Sequence, residues 1–218
     1  MYEMNFDEAV TVYRRIRNMS PMGFLRFCDS ECLGEDFSSM YALESARNAQ
    51  RFSDDAISTQ FAPLIDTIRS CAGEVPGRRL LDVGCADGGV AGYLSRRYGY
   101  RVLGVDKEPI SLAVAQELNG VEVCHAPNGD INASDVADKG PYDLVYMHRV
   151  AEMPVMPEYE AKKLVRSLMR WLTPQGSVII STKDGVVPTK ALERLGNLED
   201  IPVSLTSYVG QVFRLSRN

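Results

Sequence analysis

The chain has 218 residues, of which 45% are hydrophobic and 24% are charged, and its formal net charge at pH 7 is −5. This length and composition predict one globular domain of ordinary size with an extension, and they exclude two large domains. No apolar run approaches the roughly 20 residues that span a bilayer, and an acidic chain argues against a protein that grips a nucleic-acid backbone.

The use of cysteine and histidine argues against a disulfide framework and against a metal site. The chain has only two histidines, and its cysteines are odd in number and lack Cys-x-x-Cys spacing. The first five residues carry one acid, Glu3, and no base, and they lack the apolar core of a signal peptide. We therefore expect a cytoplasmic protein with free thiols at positions 28, 32, 71, 85 and 124.

The N-terminal part of the chain shows helical patterns before any clear strand pattern. Asn5 is a suitable N-cap and Glu8 completes a capping box with it, so a helix is predicted to continue to about Asn18. A Ser-Pro-Met-Gly sequence ends this helix, and the segment 24–34 favours either a short strand or an irregular stretch. A second helical pattern covers residues 37–50.

A third helical pattern begins after Ser53, which is another suitable N-cap, and ends at Gly73. Pro63 lies inside this pattern, where its ring clashes with the preceding turn of a helix. A kink or break is therefore predicted near Ala62.

Strands and helices alternate from residue 79 onwards, which is the pattern of a parallel sheet covered on both faces. A short helix and two short strands that must be antiparallel to each other follow this alternation. The predicted strands are 79–84, 101–106, 121–126, 142–148, 177–182, 203–206 and 211–215. The predicted helices are 88–98, 109–118, a short one near 132–138, 157–172 and 190–195.

The stretch from Leu80 to Gly89 is a buried strand that runs into a glycine-rich turn and then into a helix. Gly84 and Gly88 let the backbone turn sharply and bring its N–H groups close to a ligand. Asp106 ends the next apolar strand about twenty residues later, where its carboxylate can bind the hydroxyls of a ribose. This layout predicts a site for a nucleoside-containing cofactor.

Two classes of cofactor use such a turn, and the residues around it distinguish them. The dinucleotide fingerprint Gly-x-Gly-x-x-Gly is matched only in part, because Ala86 stands at the second glycine. Asp82 would repel a pyrophosphate and attract a ligand that carries an ammonium and a sulfonium. Here the sequence resembles the class I S-adenosylmethionine-dependent methyltransferases, whose first motif is Asp/Glu-x-Gly-x-Gly/Ala-x-Gly. Asp82, Gly84, Ala86 and Gly88 fill that motif, and Asp106 matches the ribose-binding acid of the family.

A second point of resemblance lies near the C-terminus. Residues 172–181 resemble the Leu-x-Pro-Gly-Gly connection that precedes an apolar strand in these enzymes, with Gln175 in place of the first glycine. The closing pair of antiparallel strands is also typical of the family, whereas dehydrogenases generally lack it. The resemblance spans roughly residues 78–218. It implies an α/β fold with a seven-stranded, mostly parallel Rossmann-like sheet, an antiparallel last strand and helices on both faces. The helical patterns before residue 78 add an N-terminal helical extension to this fold.

The extension, residues 1–77, lies outside the resemblance, and two interpretations of it stay open. Its helices either cover one side of the sheet or form a lid over the ligand site of the methyltransferase domain, residues 78–218.

The resemblance implies S-adenosyl-L-methionine as cofactor and S-adenosyl-L-homocysteine as product. An acid after the third strand contacts the adenine in the family, which indicates Asp130 here, with Asn128 as the alternative. Lys107 either lays its aliphatic stem on the adenine or is an exposed loop lysine. The candidate cofactor-binding residues are Asp82, Gly84, Cys85, Ala86, Gly88, Asp106, Lys107, Asp130, Ile131 and Met147.

Methyl transfer depends mainly on holding donor and acceptor in line, so few catalytic residues are obligatory. His148, at the end of the fourth strand, is a candidate general base for a hydroxyl acceptor, and its alternative role is packing beside the cofactor. Glu152, one helical turn later, is a second candidate.

The fourth strand also bears on the acceptor. It is not followed by the Asn/Asp-Pro-Pro-Tyr motif of enzymes that methylate nucleic-acid bases, and Met147 and His148 replace the aspartate of ribose methyltransferases. We expect methyl transfer to a small or medium acceptor, with oxygen preferred. The alternatives are a NAD-dependent oxidoreductase and a cofactor-binding domain without catalysis.

Overall fold

A sheet of seven strands lies at the centre of the part of the chain that the structure, a computed structural model, describes. The order of the strands is β3-β2-β1-β4-β5-β7-β6. The described residues are 4–30, 37–48, 53–126, 130–133, 135–151, 156–183, 185–204, 206 and 208–217. The strands are β1 (Arg79–Val83), β2 (Arg101–Asp106), β3 (Glu122–His125), β4 (Tyr142–His148), β5 (Leu172–Thr182), β6 (Asn197–Ile201) and β7 (Gln211–Ser216).

The directions of the strands confirm the predicted fold class. β1 to β5 pair in parallel, whereas β7 lies between β5 and β6 and runs antiparallel to both. The parallel strands consequently end at one common edge of the sheet, which is where ligands bind in folds of this kind.

Nine α-helices and a short 3-10 turn are assigned among the described residues. They include both helices predicted at 88–98 and 109–118, and the predicted short helix near 132–138 is reduced to the 3-10 turn Ile131–Ala133. The helices are α1 (Phe6–Ile16), α2 (Pro21–Ser30), α3 (Phe37–Asn48), α4 (Asp54–Gln60), α5 (Ala62–Ala72), α6 (Gly89–Tyr98), α7 (Pro109–Asn119), α8 (Glu158–Arg170) and α9 (Thr189–Leu192).

Capping residues set several of the helix boundaries. The side chain of Asn5 accepts a hydrogen bond from the N–H of Glu8 at 3.0 Å, and Glu8 accepts one from the N–H of Asn5, so the predicted capping box is confirmed. The predicted break also occurs, because α4 ends at Gln60 and α5 begins at Ala62 with Pro63 in its first turn.

Two predictions of secondary structure were wrong. Pro21 begins the helix α2, and its buried residues Phe24, Phe27 and Cys28 have the spacing of one helix face rather than of a strand. The sixth strand is Asn197–Ile201 and not 203–206, because it is an exposed edge strand without the apolar pattern on which the prediction relied.

Both faces of the sheet are buried. On one face, α8 places Val165 and Leu168 in a cluster with Met147 and Ile180 of the sheet. On the other face, α5 and α6 cover the second cluster, which includes Tyr146. Each fully buried side chain of this size contributes about 1.5–3 kcal/mol of transfer free energy.

The N-terminal helices pack in two places. α5 contacts β4 and β5 and so belongs to the covered face of the sheet. The helices α1, α2 and α3 instead form a third cluster with the outer side of α7, where Tyr13 and Ile16 pack with Ile110 and Ala113.

Within the described chain, no helix combines the length and apolar character that a membrane crossing needs.

Candidate functional site

The glycine-rich turn after β1 lies at the edge where the parallel strands end. Gly84, Ala86 and Gly88 have φ values of 74°, 48° and 71°, a region that favours glycine and that few other residues adopt. The N–H of Gly84 donates to the carbonyl of Val105 at 2.7 Å, which ties the turn to β2. A Cβ on Gly88 would lie 2.8 Å from the Cβ of Ala115, so glycine at this position lets α6 begin close against α7.

Asp106 holds this turn from the neighbouring strand. Its Oδ2 accepts a hydrogen bond from the N–H of Ala86 at 2.9 Å, and its Oδ1 accepts one from the N–H of Glu108 at 3.0 Å. Each carboxylate oxygen can accept further bonds, because an ionised carboxylate offers about four acceptor positions. The structure therefore brings the predicted turn and the predicted ribose-binding acid into direct contact across twenty residues of sequence.

Asp82 is the most strongly perturbed carboxylate of the site. Only 5% of the residue is exposed, and the hydroxyl of Tyr146 donates to its Oδ2 at 2.9 Å. Burial raises the pKa of Asp82 to about 7, the Tyr146 hydrogen bond opposes this rise, and the charges of Asp106 and Asp87 add to it. At neutral pH this carboxyl group is consequently poised between its two protonation states.

The charges around the turn test which cofactor fits. Asp82, Asp87 and Asp106 are grouped there, and among the described residues no basic side chain forms an ion pair with any of them. A pyrophosphate would add negative charge to this group, whereas an ammonium or a sulfonium would be attracted by it. The site thus fits a cationic nucleoside ligand and does not fit a dinucleotide.

His148 lies at the same edge, at the end of β4. Its Nδ1 is 2.9 Å from the Oγ of Ser181 on β5, and the ring of Phe61 meets its ring edge-on at 5.7 Å between centroids. Burial, together with the smaller effect of the charges of Arg149 and Lys183, lowers the pKa of His148 to about 4. The imidazole is therefore neutral at pH 7 and can accept a hydrogen bond.

Aromatic side chains from two distant segments meet beside His148. Phe61, at the junction between α4 and α5, lies 5.2 Å from the ring of Tyr208 in the turn before β7. This turn is fixed to the junction because the Oγ1 of Thr206 donates to the carbonyl of Gln60 at 2.8 Å. These contacts form an apolar wall beside the end of β4.

The N-terminal helix α4 also reaches the glycine turn. A Cβ on Gly89, the first residue of α6, would lie 3.2 Å from the Cδ1 of Ile57. Asp54 and Arg96 form an ion pair at 2.9 Å between the same two helices. Part of the predicted extension is thus placed directly beside the site.

The remaining candidates occupy varied positions. Lys107 is exposed and lies 3.9 Å from Glu108, while Asp130 is exposed and accepts a hydrogen bond from the N–H of Asn132 at 3.0 Å. Cys85 is buried inside the turn. Ile131 and Met147 are buried in the cluster under α8, on the face away from His148, so their side chains serve the core.

Two candidates, Glu152 and Asn128, lie outside the described residues. Within the described chain, no three His, Cys, Asp or Glu side chains are grouped as metal ligands would be.

A cleft of about 480 Å³ is lined by Arg79, Arg101 and Tyr142 among others. It lies where the parallel strands begin, so it is unrelated to the residues described above.

Sequence reasoning missed four residues of the site. Tyr146 lies opposite Asp82 in the register of β1 and β4, and Ser181 lies opposite His148 in that of β4 and β5. Aligning the predicted strand ends would have placed these polar side chains next to each other. No sequence signal indicated Phe61 or Tyr208, because both approach from outside the alternating part of the chain.

A family described as a methyltransferase domain matches residues 80–176 of the chain. Phosphoethanolamine N-methyltransferase 1 of Zea mays is 24% identical over 175 residues, which are 80% of this chain and 33% of that protein. The ubiquinone biosynthesis O-methyltransferase of Alkalilimnicola ehrlichii is 32% identical over 121 residues, 54% of this chain and 47% of that protein. The chain thus spans from a third to about half the length of these curated relatives.

Solved structures show the same fold. A TehB-like S-adenosylmethionine-dependent methyltransferase from Corynebacterium glutamicum is 22% identical and has a TM-score of 0.55 over 86% of this chain and 100% of that one. A methyltransferase from Pyrococcus furiosus is 14% identical and has a TM-score of 0.57 over 72% of this chain and 83% of that one. At these identities the likeness establishes the architecture.

Proposed function

We propose that the chain is a class I S-adenosylmethionine-dependent methyltransferase and that it transfers a methyl group from S-adenosyl-L-methionine to a small or medium acceptor. The observation that carries the proposal is the acidic, glycine-lined turn formed by Asp82, residues 84–88 and Asp106. S-adenosyl-L-methionine is the cofactor whose charges this turn complements, and S-adenosyl-L-homocysteine is the product.

Residues of this turn have distinct roles in the proposal. Asp82 attracts the ammonium of the methionine part, the backbone of residues 84–88 follows its chain, and the free acceptor positions of Asp106 bind the ribose hydroxyls. Asp130 and Lys107 are proposed to contact the adenine from the rim. The bound cofactor supplies the electrophilic methyl group, and the protein supplies orientation and exclusion of water.

We propose oxygen as the accepting atom because of His148. Its neutral imidazole contacts Ser181 at the edge where the parallel strands end, which we call the mouth of the site. There it can accept a hydrogen bond from an acceptor hydroxyl. A pKa of about 4 makes it a weak base, so its contribution is mainly to orient the hydroxyl toward the methyl group. The named relatives include both N- and O-methyltransferases, so a nitrogen acceptor is the second candidate.

The small size of the acceptor is inferred from the N-terminal helices that cover the mouth of the site. Phe61 and Ile57 bring the N-terminal extension, residues 1–77, against both the glycine turn and His148 of the domain, residues 78–218. We propose that α4 and the α4–α5 junction act as a lid, while α5 covers the sheet. A covered mouth and an acidic chain favour a small metabolite in the cytoplasm over a nucleic acid.

Calorimetric titration tests the cofactor. We expect saturable binding of S-adenosyl-L-homocysteine and none of the oxidised nicotinamide dinucleotide. Tight binding of the dinucleotide alone would overturn the proposal in favour of an oxidoreductase.

A transfer assay with radiolabelled methyl donor and metabolite pools tests the acceptor, with full-length protein and a His148→Ala variant compared. We expect label on a small molecule and a lower rate for the variant at unchanged cofactor affinity. Label on RNA or on a protein would contradict the small-acceptor proposal, and cofactor binding without any transfer would leave a binding-only domain.

A further inference from the structure

Four arginines from three separate parts of the chain line a single cleft of about 410 Å³. Arg166 and Arg170 belong to α8, Arg194 lies in the turn after α9, and Arg217 directly follows β7. All four residues are exposed, and Met169 lies between them in the lining.

This arginine cleft lies far from the glycine turn along the sheet. Arg170 ends α8 just before β5 begins at Leu172, and Arg217 follows Ser216, which pairs with Ser177 in β5. The cleft is therefore at the edge where the parallel strands begin, opposite the edge that carries Asp106 and His148. A ligand in the cleft would not contact the proposed cofactor.

The positive charge of the cleft is not neutralised by the described part of the protein. No described carboxylate lies within the 4.0 Å of an ion pair from any of the four guanidinium groups. The chain contains 29 acidic residues against 24 basic ones, so its composition offers an excess of possible partners. Arg166 and Arg170 also stand four residues apart on one helix, a spacing at which like charges destabilise the helix.

Local structure accounts for only two of the four arginines. Arg170 lies in the last turn of α8, where a cation complements the helix dipole. The Nη2 of Arg217 donates to the carbonyls of Met169 at 2.6 Å and Leu172 at 3.2 Å, which caps the helix and fixes the guanidinium in place. The side chains of Arg166 and Arg194 have no hydrogen-bond or ion-pair partner among the described residues.

We propose that the arginine cleft binds a small ligand that carries two or more adjacent phosphate groups. The planar fork of a guanidinium matches the oxygens of a phosphate, and several forks that converge can bind neighbouring phosphates together. The volume of the cleft is in the range of small-molecule sites, roughly 300–1,000 Å³. A nucleic acid would instead require an extended basic surface, which an acidic chain with this local cluster does not offer.

The test is calorimetric titration of the full chain with inorganic pyrophosphate at low ionic strength. A double variant, Arg166→Gln with Arg194→Gln, removes two charges from the cleft. The matched control, Arg26→Gln with Arg97→Gln, removes two charges from exposed arginines on α2 and α6. Thermal unfolding of both variants verifies that each is folded.

We expect saturable binding of one pyrophosphate to the unaltered protein, at least tenfold weaker in the cleft variant and within twofold in the control. Added salt should weaken it, since exposed charges are screened. Absence of saturable binding, or equal weakening in both variants, overturns the proposal. Competition by S-adenosyl-L-homocysteine would also overturn it, because the phosphate would then occupy the cofactor mouth. So would tighter binding of a short RNA through the same arginines.

Discussion

At the scale of single residues, Asp106 does two things at once. Its two oxygens hold the N–H groups of Ala86 and Glu108, and the proposed cofactor would use their remaining acceptor positions. Replacing Asp106 with Ala should weaken binding of S-adenosyl-L-homocysteine by about 1.5–3 kcal/mol, because bonds to a charged group are lost. Calorimetry on the folded variant measures this, with the exposed Asp138→Ala as control. Unchanged affinity would place the ribose elsewhere.

Tyr146 is a second residue with a specific expectation. Its hydroxyl lowers the pKa of Asp82, so Tyr146→Phe should raise that pKa above about 7 and leave less of the carboxylate ionised at neutral pH. Cofactor affinity rises with pH as Asp82 ionises, and the variant should need a higher pH to reach the same affinity. At pH 7 we expect roughly three- to tenfold weaker binding, the value of one hydrogen bond.

Tyr142→Phe is the matched control for that variant. Tyr142 is an equally buried tyrosine of the same strand, but its hydroxyl donates to the carbonyl of Val136 at 2.7 Å, away from the turn. Titrations between pH 5.5 and 7.5 compare the two variants. If both shift the pH dependence equally, the Tyr146–Asp82 contact has no part in cofactor binding.

At the scale of elements, α1 shows how the extension is attached. Ile16 is fully buried between α1 and α7, so Ile16→Ala should reduce the free energy of unfolding by about 2–4 kcal/mol through the cavity it leaves. Urea denaturation measures this loss. Thr11→Ala, at an exposed position of the same helix, should change it far less. An unaltered stability for Ile16→Ala would mean that α1 is not anchored to α7.

The elements also show what the sequence could reveal. The parallel strands and the turn at Gly84 were predictable, because buried strands are apolar throughout and the turn requires specific residues. The edge strand β6 and the helix α2 were not predictable, because an exposed edge has no apolar pattern and a proline such as Pro21 is typical of a helix end as well as of a helix start.

Some residues of the site were also predictable from the sequence and others were not. Asp82 lies two residues before the turn and Asp106 ends a predicted strand, so the position of both followed from the topology. Phe61 reaches His148 only through the packing of the N-terminal helices. Contacts of that kind depend on side-chain shape across distant segments, which periodicity and spacing do not encode.

At the scale of the whole molecule, the ionisation of Asp82 affects stability. Its pKa is about 7 in the folded protein against 3.8 as an ordinary value, so folding favours the protonated form. The free energy of unfolding should therefore fall as pH rises from about 4 to 7, and the full cost should be present above that range. Asp82→Asn should flatten this dependence in denaturation curves. An identical slope in both proteins would show that Asp82 is ionised throughout.

The position of β7 has a consequence for how the molecule is made. β7 follows all the other described strands in sequence, yet it lies inside the sheet and supplies hydrogen bonds to both β5 and β6. The other described strands are synthesised before β7, so β5 presents an open edge until residues 211–216 emerge from the ribosome. Open edges of apolar strands are sites of intermolecular pairing. Until β7 is in place, the nascent chain accordingly presents an apolar strand edge to other chains while nearly all of the described core has already been made.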